Sequence, residues 1–176
     1  MAHPAARILI ALLLLFAPAH AQQGSPEDRI KAAFLYKFAG YVEWPENRAQ
    51  GPIHIGVLGS DAIAAELEQL LPGRVVGNRP LSVRKVEPED LPDDLHILFV
   101  AEPRSASLAA HRAALQKHGV LIVTEAPDMP AQESVINFLI VDQRVKFTIS
   151  LDAAAKTGLK LSSRLLAVAH RVTGAS

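Results

Sequence analysis

Hydrophobic positions recur every three or four residues from Ser25 or Pro26 to about Tyr41 or Glu43, which predicts a helix that Pro45 cannot continue. One apolar stripe of this helix consists of Ile30, Ala33, Phe34, Phe38 and Tyr41. Further apolar side chains lie around the rest of the cylinder, so the helix must be covered on more than one side. Two interpretations are possible: the helix lies between a sheet and the last helix, or its end presents an aromatic patch to a partner.

The middle of the chain alternates between strand and helix patterns. Apolar runs predict strands at residues 53–58, 81–87, 96–101 and 120–123. The last two runs are continuous, as expected of strands that are covered on both faces. A helix capped by Ser60 or Asp61 ends at Pro72, and Ser105 caps a helix that reaches about His118.

A hairpin is predicted within residues 135–150. Val145, Phe147 and Ile149 alternate strictly with polar side chains, which is typical of a half-exposed strand. A two-residue turn at Asp142-Gln143 defines the register of the two strands. In that register the opposed pairs are Ile136 with Ile149, Asn137 with Thr148, Phe138 with Phe147, and Ile140 with Val145.

The C-terminal part of the chain is predicted to form a short helical turn from Asp152 and a last helix from about Leu159. The side chains expected to face inward are those of Leu161, Leu165, Val168, Ala169 and Val172. All elements together predict an α/β fold with a mixed β-sheet, in which a parallel core is joined to a C-terminal antiparallel hairpin and flanked by helices. We expect a single domain over residues 22–176.

The first residues have the pattern of a secretory signal peptide. Arg7 precedes an unbroken apolar run over residues 8–16, and Ala19-His20-Ala21 has the small residues of a cleavage site. A membrane-spanning helix needs about 20 apolar residues, so this run is too short to be an anchor. We therefore expect residues 1–21 to be removed after Ala21, the protein to work outside the cytoplasm, and no direct membrane insertion after cleavage.

The composition excludes some kinds of partner and some kinds of chemistry. Lys and Arg number 18 against 18 Asp and Glu, so no basic field exists to hold nucleic acid or anionic lipid. The chain has no cysteine, which excludes disulfide and thiol chemistry.

The sequence offers little sign of catalysis. A G-x-S-x-G elbow is absent, and no cysteine can act as a nucleophile. His54, His96, His111, His118 and His170 are dispersed, so we expect no metal site, no cofactor and no catalytic residue. The function predicted from the residues alone is binding, and an enzyme is not expected.

Two groups of residues are candidate binding sites. Tyr41, Trp44 and Pro45 follow the first helix and could contact a partner, since aromatic residues dominate interface energetics, or could instead pack in the core or a dimer. The second group consists of Gly59, Ser60, Ala101 and Glu102. These residues follow two parallel strands, whose carboxyl ends form the crevice that holds ligands in such sheets. A tight strand-to-helix turn is the alternative interpretation of Gly59 and Ser60.

Four segments, in order, resemble the YfiR family of periplasmic proteins, also called DUF4154. They are residues 31–38 with 41–45 (KAAFLYKF and YVEWP), residues 55–59 (IGVLG), residues 135–138 with 145–147 (VINF and VKF), and residues 158–166 (GLKLSSRLL). Each segment alone is weak, but the four together at this spacing are specific.

The resemblance implies a function that composition does not reveal. Proteins of this family are expected to dimerise and to inhibit the periplasmic domain of an inner-membrane diguanylate cyclase, which lowers cyclic di-GMP and biofilm formation. An outer signal would relieve the repression, and redox control through paired cysteines cannot operate in this chain. The alternative is a periplasmic small-molecule sensor that acts on another signalling partner.

Overall fold

The computed structural model describes residues 24–127 and 133–174, so the predicted signal peptide and its cleavage site lie outside the described residues. The first elements are helix α1 (Pro26–Ala39), strand β1 (Val42–Glu43), a 3-10 turn (Glu46–Arg48), strand β2 (Ile53–Leu58), helix α2 (Asp61–Leu70), and strands β3 (Val75–Val76) and β4 (Arg79–Lys85). Next come β5 (Ile97–Val100), a 3-10 helix (Glu102–Ala110), α3 (Arg112–Lys117), β6 (Leu121–Thr124), β7 (Ile136–Val141) and β8 (Arg144–Ser150). The chain continues through α4 (Leu151–Lys156), β9 (Lys160–Leu161), α5 (Ser163–Val168) and β10 (Arg171–Thr173).

Eight strands form one mixed sheet in the order β10-β8-β7-β6-β5-β2-β4-β3. Strands β4, β2, β5, β6 and β7 run parallel, and β8 pairs antiparallel with β7. The predicted α/β class, with its parallel core and antiparallel hairpin, is therefore confirmed. None of the described helices is long and apolar enough to cross a membrane.

The two faces of the sheet are covered to different extents. One face packs against α1 and α2 in the larger hydrophobic core, which includes Phe38, Phe99, Phe138 and Phe147. On the other face a smaller core, with Leu98, Leu115 and Ile122, lies under the 3-10 helix and α3. Helix α1 packs on the sheet, as one of the two alternatives predicted, but the helix that packs most extensively against it is α2 instead of the last helix.

The hairpin prediction is confirmed in detail. Strands β7 and β8 pair Ile136 with Ile149, Asn137 with Thr148, Phe138 with Phe147, and Ile140 with Val145. Asp142 and Gln143 form the turn with φ angles of 49° and 59°, the left-handed values that a two-residue hairpin of the primed type requires. Alternation with a period of two was sufficient to define this register, because a slip by one residue would expose every core side chain.

The start of the chain departs from its prediction. Helix α1 ends at Ala39 instead of Tyr41 or Glu43, because Gly40 closes its last turn and the next residues join another element. Val42 and Glu43 pair antiparallel with Leu161 and Lys160. We call this two-stranded sheet the β1–β9 ribbon.

The prediction of one helix capped by Ser105 is wrong. The backbone turns into a 3-10 helix already at Glu102, directly after β5, with a proline in its first turn. A separate short helix, α3, begins at Arg112.

The predicted last helix is also too long. Helix α5 begins after its N-cap, Ser162, and the chain becomes extended at Ala169. Strand β10 then pairs parallel with β8, so its backbone hydrogen bonds go to the sheet. Val168 and Val172, predicted to face inward, are 64% and 38% exposed, whereas Leu165 is buried as predicted.

Candidate functional site

The three residues predicted to contact a partner are buried to different extents. Trp44 belongs to the larger core at 8% exposure, and its indole Nε1 donates a hydrogen bond of 3.3 Å to the carbonyl of His96. Tyr41 and Pro45 are half-buried. Trp44 therefore offers a partner little surface, and the prediction of partner contact rests on Tyr41 and Pro45.

Two arginines hold the segment that follows Trp44. The guanidinium of Arg79 lies 5.7 Å from the centre of the Trp44 ring and donates to the carbonyls of Gly51 and Arg48 at 2.7 and 3.1 Å. Arg48 in turn donates to the carbonyls of Asp93, at 2.7 Å, and Leu95. Burial lowers the pKa of both guanidinium groups. These contacts join the loop after β1 to β4 and to the entrance of β5.

His96 is the buried neutral member of this cluster. His96 is 5% exposed, and its Nε2 lies 2.8 Å from Nη2 of Arg79. Burial, followed by the positive charge of Arg48, lowers the pKa of His96 to about 4. The imidazole is therefore neutral at physiological pH and contributes packing and hydrogen bonds to the core.

The β1–β9 ribbon carries the polar surface near Tyr41. Glu43 and Lys160 are exposed and lie opposite each other in the ribbon, and the amide of Ser162 donates to the carbonyl of Tyr41 at 2.9 Å. Pro45 lies against Gly119, where a Cβ would be 3.3 Å from the proline Cγ. Two segments from opposite ends of the domain thus form one surface. Local sequence patterns could not reveal it, since neither two-residue strand has a periodicity of its own.

The predicted ligand crevice is only partly formed. Gly59 and Ser60 line a cleft of about 230 Å³, but Ala101 is buried and Glu102 does not line the cleft. Gly59 has a φ of +83°, and a Cβ there would meet Arg104 Cγ at 2.7 Å, so a tight turn explains this glycine. Ser60 accepts a hydrogen bond from the amide of Ile63 as the cap of α2.

Ion pairs occupy the mouth of this cleft. Lys85 lies 2.8 Å from Asp61, and Arg104 lies 3.8 Å from Glu87. The charges around the cleft are therefore paired with each other.

A serine, a histidine and an aspartate lie side by side near the start of β2. His54 Nδ1 is 2.7 Å from Ser82 Oγ, and His54 Nε2 is 3.5 Å from Asp94 Oδ2. Arg84 contacts the same Asp94 oxygen at 2.7 Å, and this hydrogen bond lowers the pKa of Asp94. The carboxylate is thus engaged by arginine instead of orienting the imidazole, and we interpret the group as a surface hydrogen-bond network.

The described residues contain no group of three or more His, Asp or Glu side chains that could hold a metal ion. His54 lies in β2 and His96 lies immediately before β5, with their rings 6.1 Å apart, whereas His111 and His118 flank α3.

Comparisons with known proteins agree with the fold. A model of the YfiR/HmsC-like family, DUF4154, matches residues 28–170. A search of curated proteins found no match. The crystal structure of a conserved domain protein from Vibrio cholerae is similar in fold, with a TM-score of 0.52 and 12% sequence identity. That alignment covers 86% of this chain and 61% of the other, so the chain spans less than two thirds of that protein's length.

Proposed function

This chain belongs to the YfiR/HmsC-like family, and we propose that it binds the periplasmic domain of an inner-membrane diguanylate cyclase and inhibits it. The family is one of periplasmic regulators of cyclic di-GMP signalling and is not catalytic. The observation that carries the proposal is the family match over residues 28–170. Inhibition would lower cyclic di-GMP and biofilm formation.

The proposed partner surface is the β1–β9 ribbon with Tyr41 and Pro45 beside it. Its support is that two of the segments typical of the family meet there, with Glu43 and Lys160 exposed. The buried Trp44 holds the ribbon in place instead of touching the partner. Backbone pairing between the two strands would limit the conformational entropy that this surface loses on binding.

The proposed mechanism is stoichiometric. The protein would bind the inactive state of the cyclase more tightly than the active state, because a ligand shifts an equilibrium only by its differential affinity. A homodimer is part of the proposal, and an outer signal would release the partner.

Deletion of the gene tests the regulatory function. We expect cyclic di-GMP and surface attachment to rise in the deletion strain and to fall again when the wild-type gene is supplied. Unchanged cyclic di-GMP, together with no membrane protein crosslinked to the chain in living cells, would refute the proposal.

Matched charge reversals test the surface. Glu43→Lys and Lys160→Glu change exposed residues of the ribbon, and Lys117→Glu changes an exposed residue of α3 as a control. We expect the ribbon variants to accumulate normally but to restore repression poorly, while the α3 variant restores it fully. Equal repression by all three variants would place the partner surface elsewhere.

A further inference from the structure

The sheet has a face that the helices leave open at one end. The 3-10 helix and α3 cover the face around Leu98 and Ile122, but the same face of β7, β8 and β10 carries mainly polar side chains. Strand β8 shows the difference clearly, since Val145, Phe147 and Ile149 are buried in the larger core while the alternate residues point away from it. We call the surface of β7, β8 and β10 on this side the open face.

A groove of about 280 Å³ lies on the open face. Its polar lining includes Ser134, Thr148, Ser150, His170 and Arg171, which come from three separate parts of the chain. The pairing of Arg171 with Thr148, and of Thr173 with Ser150, brings β10 alongside β8 at this point. One side of the groove, with His170, Arg171 and Thr173, is therefore supplied by β10 and the residue before it.

Hydroxyl groups in the groove retain hydrogen-bonding capacity. Ser150 is 5% exposed; its Oγ accepts from the amide of Ala153, and its own proton goes to no acceptor among the described residues. The hydroxyl of Thr148 makes no hydrogen bond within the described part of the chain. A buried hydroxyl with an unused proton is costly unless water or a ligand accepts it.

Ser134 is also able to accept a hydrogen bond. Thr124 Oγ1 lies 2.7 Å from Asn137 Oδ1 and 2.9 Å from Ser134 Oγ. An amide oxygen only accepts, so the Thr124 proton goes to Asn137 and Ser134 donates to Thr124. The remaining lone pairs of Ser134 stay available, in a residue that is 5% exposed.

The charge of the groove is positive. Arg171 lines it and has no ion pair with any described residue, and His170 lies beside it. No described carboxylate lines the groove. Glu133, next to Ser134, is paired with Arg112 at 3.0 Å, and Lys146 adds a further cation two residues before Thr148 on the same face.

We propose that this groove binds a small organic anion, whose carboxylate or phosphate contacts Arg171 and the hydroxyls of Thr148 and Ser150. Arginine recognises such groups through two parallel donors, and hydroxyls supply the remaining hydrogen bonds. Leu139 and Pro127 line the same groove and provide an apolar wall for the body of the ligand. A groove of about 280 Å³ is slightly smaller than the pockets of about 300–1,000 Å³ that hold drug-sized ligands, so it suits a smaller molecule.

This inference does not depend on the proposed cyclase partner, because it concerns the purified protein alone. It also differs in place from the cleft at Gly59, whose charges are already paired.

Amide chemical-shift mapping on the protein purified from the periplasm tests the proposal. The probes are benzoate, phenyl phosphate and the neutral benzyl alcohol, each titrated at low ionic strength. We expect the charged probes to shift the amides of residues 134–139, 148–150 and 170–174, and added salt to weaken the effect. Tighter binding of benzoate would indicate a carboxylate ligand. Tighter binding of phenyl phosphate would indicate a phosphate ligand. Shifts elsewhere, no shifts with either anion, or equal binding of benzyl alcohol would overturn the proposal.

Arg171→Gln is the decisive variant, because Arg171 is exposed and its replacement leaves the core intact. We expect the affinity for the better anion to fall at least tenfold, and Thr148→Val to weaken it less. Arg164→Gln, an exposed arginine of α5 outside the groove, should leave the affinity unchanged. Equal loss in Arg164→Gln and Arg171→Gln would show general charge attraction and would refute a specific site.

Discussion

The indole nitrogen of Trp44 donates a hydrogen bond of 3.3 Å to the backbone carbonyl of His96, the residue that immediately precedes β5. The same two residues pack edge to face, with ring centres 5.5 Å apart. Because the chain between them forms β2, α2 and β4, this contact joins the segment after α1 to the middle of the sheet. Trp44 therefore acts as an anchor of the fold.

Replacement of Trp44 should reduce stability by an amount that depends on whether the hydrogen bond alone or also the packed ring is lost. We expect Trp44→Phe to lower the free energy of unfolding by about 0.5–1.5 kcal/mol, since the His96 carbonyl loses the indole donor but keeps the amide of Leu121 at 2.8 Å. Trp44→Ala should cost about 3–5 kcal/mol, because a cavity is added. Urea unfolding measures both values. Tyr41→Phe is the control, expected to change stability by less than about 0.5 kcal/mol, and an equally small effect of Trp44→Ala would contradict the anchoring role.

Stability should fall as the pH is lowered from about 6.5 towards 4. The unfolded chain protonates His96 near its ordinary pKa of 6.5, whereas the folded protein resists protonation until a pH of about 4. The unfolded state thus binds more protons in this window, and the full contribution of His96 amounts to about 3 kcal/mol. Urea unfolding at pH steps across this window measures the slope.

Two histidine variants test which groups cause this pH dependence of stability. His96→Gln should flatten the dependence between pH 6.5 and 4. The pKa of His54 is also lowered, by burial first, so His54→Gln should remove a smaller part in the same direction. An unchanged slope in His96→Gln would show that other groups control the acid sensitivity. Asp94, whose pKa is lowered by Arg84, acts only below its ordinary pKa of 3.8.

A nearly buried ion pair joins α1 to the loop after β6. Lys31 is 9% exposed and its Nζ lies 2.7 Å from Glu125. We expect Lys31→Met to cost about 2–3 kcal/mol, since it leaves a shielded carboxylate without its cation. The double variant Lys31→Met with Glu125→Leu should lose less than the sum of the single variants. Additivity within about 0.5 kcal/mol in a double-mutant cycle would show that the two side chains are not coupled.

The hairpin turn offers a stabilising substitution. Gln143 has a φ of 59°, which costs a residue with a Cβ about 1–2 kcal/mol relative to a right-handed conformation. Gln143→Gly should therefore raise the free energy of unfolding by about 0.5–1 kcal/mol, after the greater entropy of glycine in the unfolded chain is subtracted. Gln143→Val, with a branched Cβ, should lower it. A destabilised glycine variant would mean that the turn geometry differs from the one described.

Much of the architecture could be predicted from patterns within short segments. The strand at Ile53–Leu58, the helix start at Ser60 or Asp61 and the register of β7 with β8 were all correct. Such features depend on periodicity, caps and turn residues, which act over a few neighbouring positions. The match of four segments to one family was also available at this level, and the family model confirms it.

The candidate site was less accessible to sequence reasoning. Trp44 is an aromatic residue beside a proline, and nothing local distinguishes an interface residue from a core residue until His96 is seen to receive its hydrogen bond. Gly59 and Ala101 follow adjacent parallel strands as predicted, yet only Gly59 lines a cleft, because Ala101 is covered. Exposure is a property of the surroundings and is not encoded in a residue's own type.

The sequence by itself determined the class of fold, the parallel core, the hairpin register and the family, because each follows from regular spacing or from motifs of adjacent residues. Only the tertiary structure decided that residues 171–173 form a strand, that Val42 pairs with Leu161, and that Arg171 lies beside Thr148 on an open face. These outcomes depend on which backbone N–H and C=O groups remain unpaired, and which apolar surfaces remain exposed, after the sheet has assembled. That competition joins residues far apart in the chain, so no local pattern can specify its result.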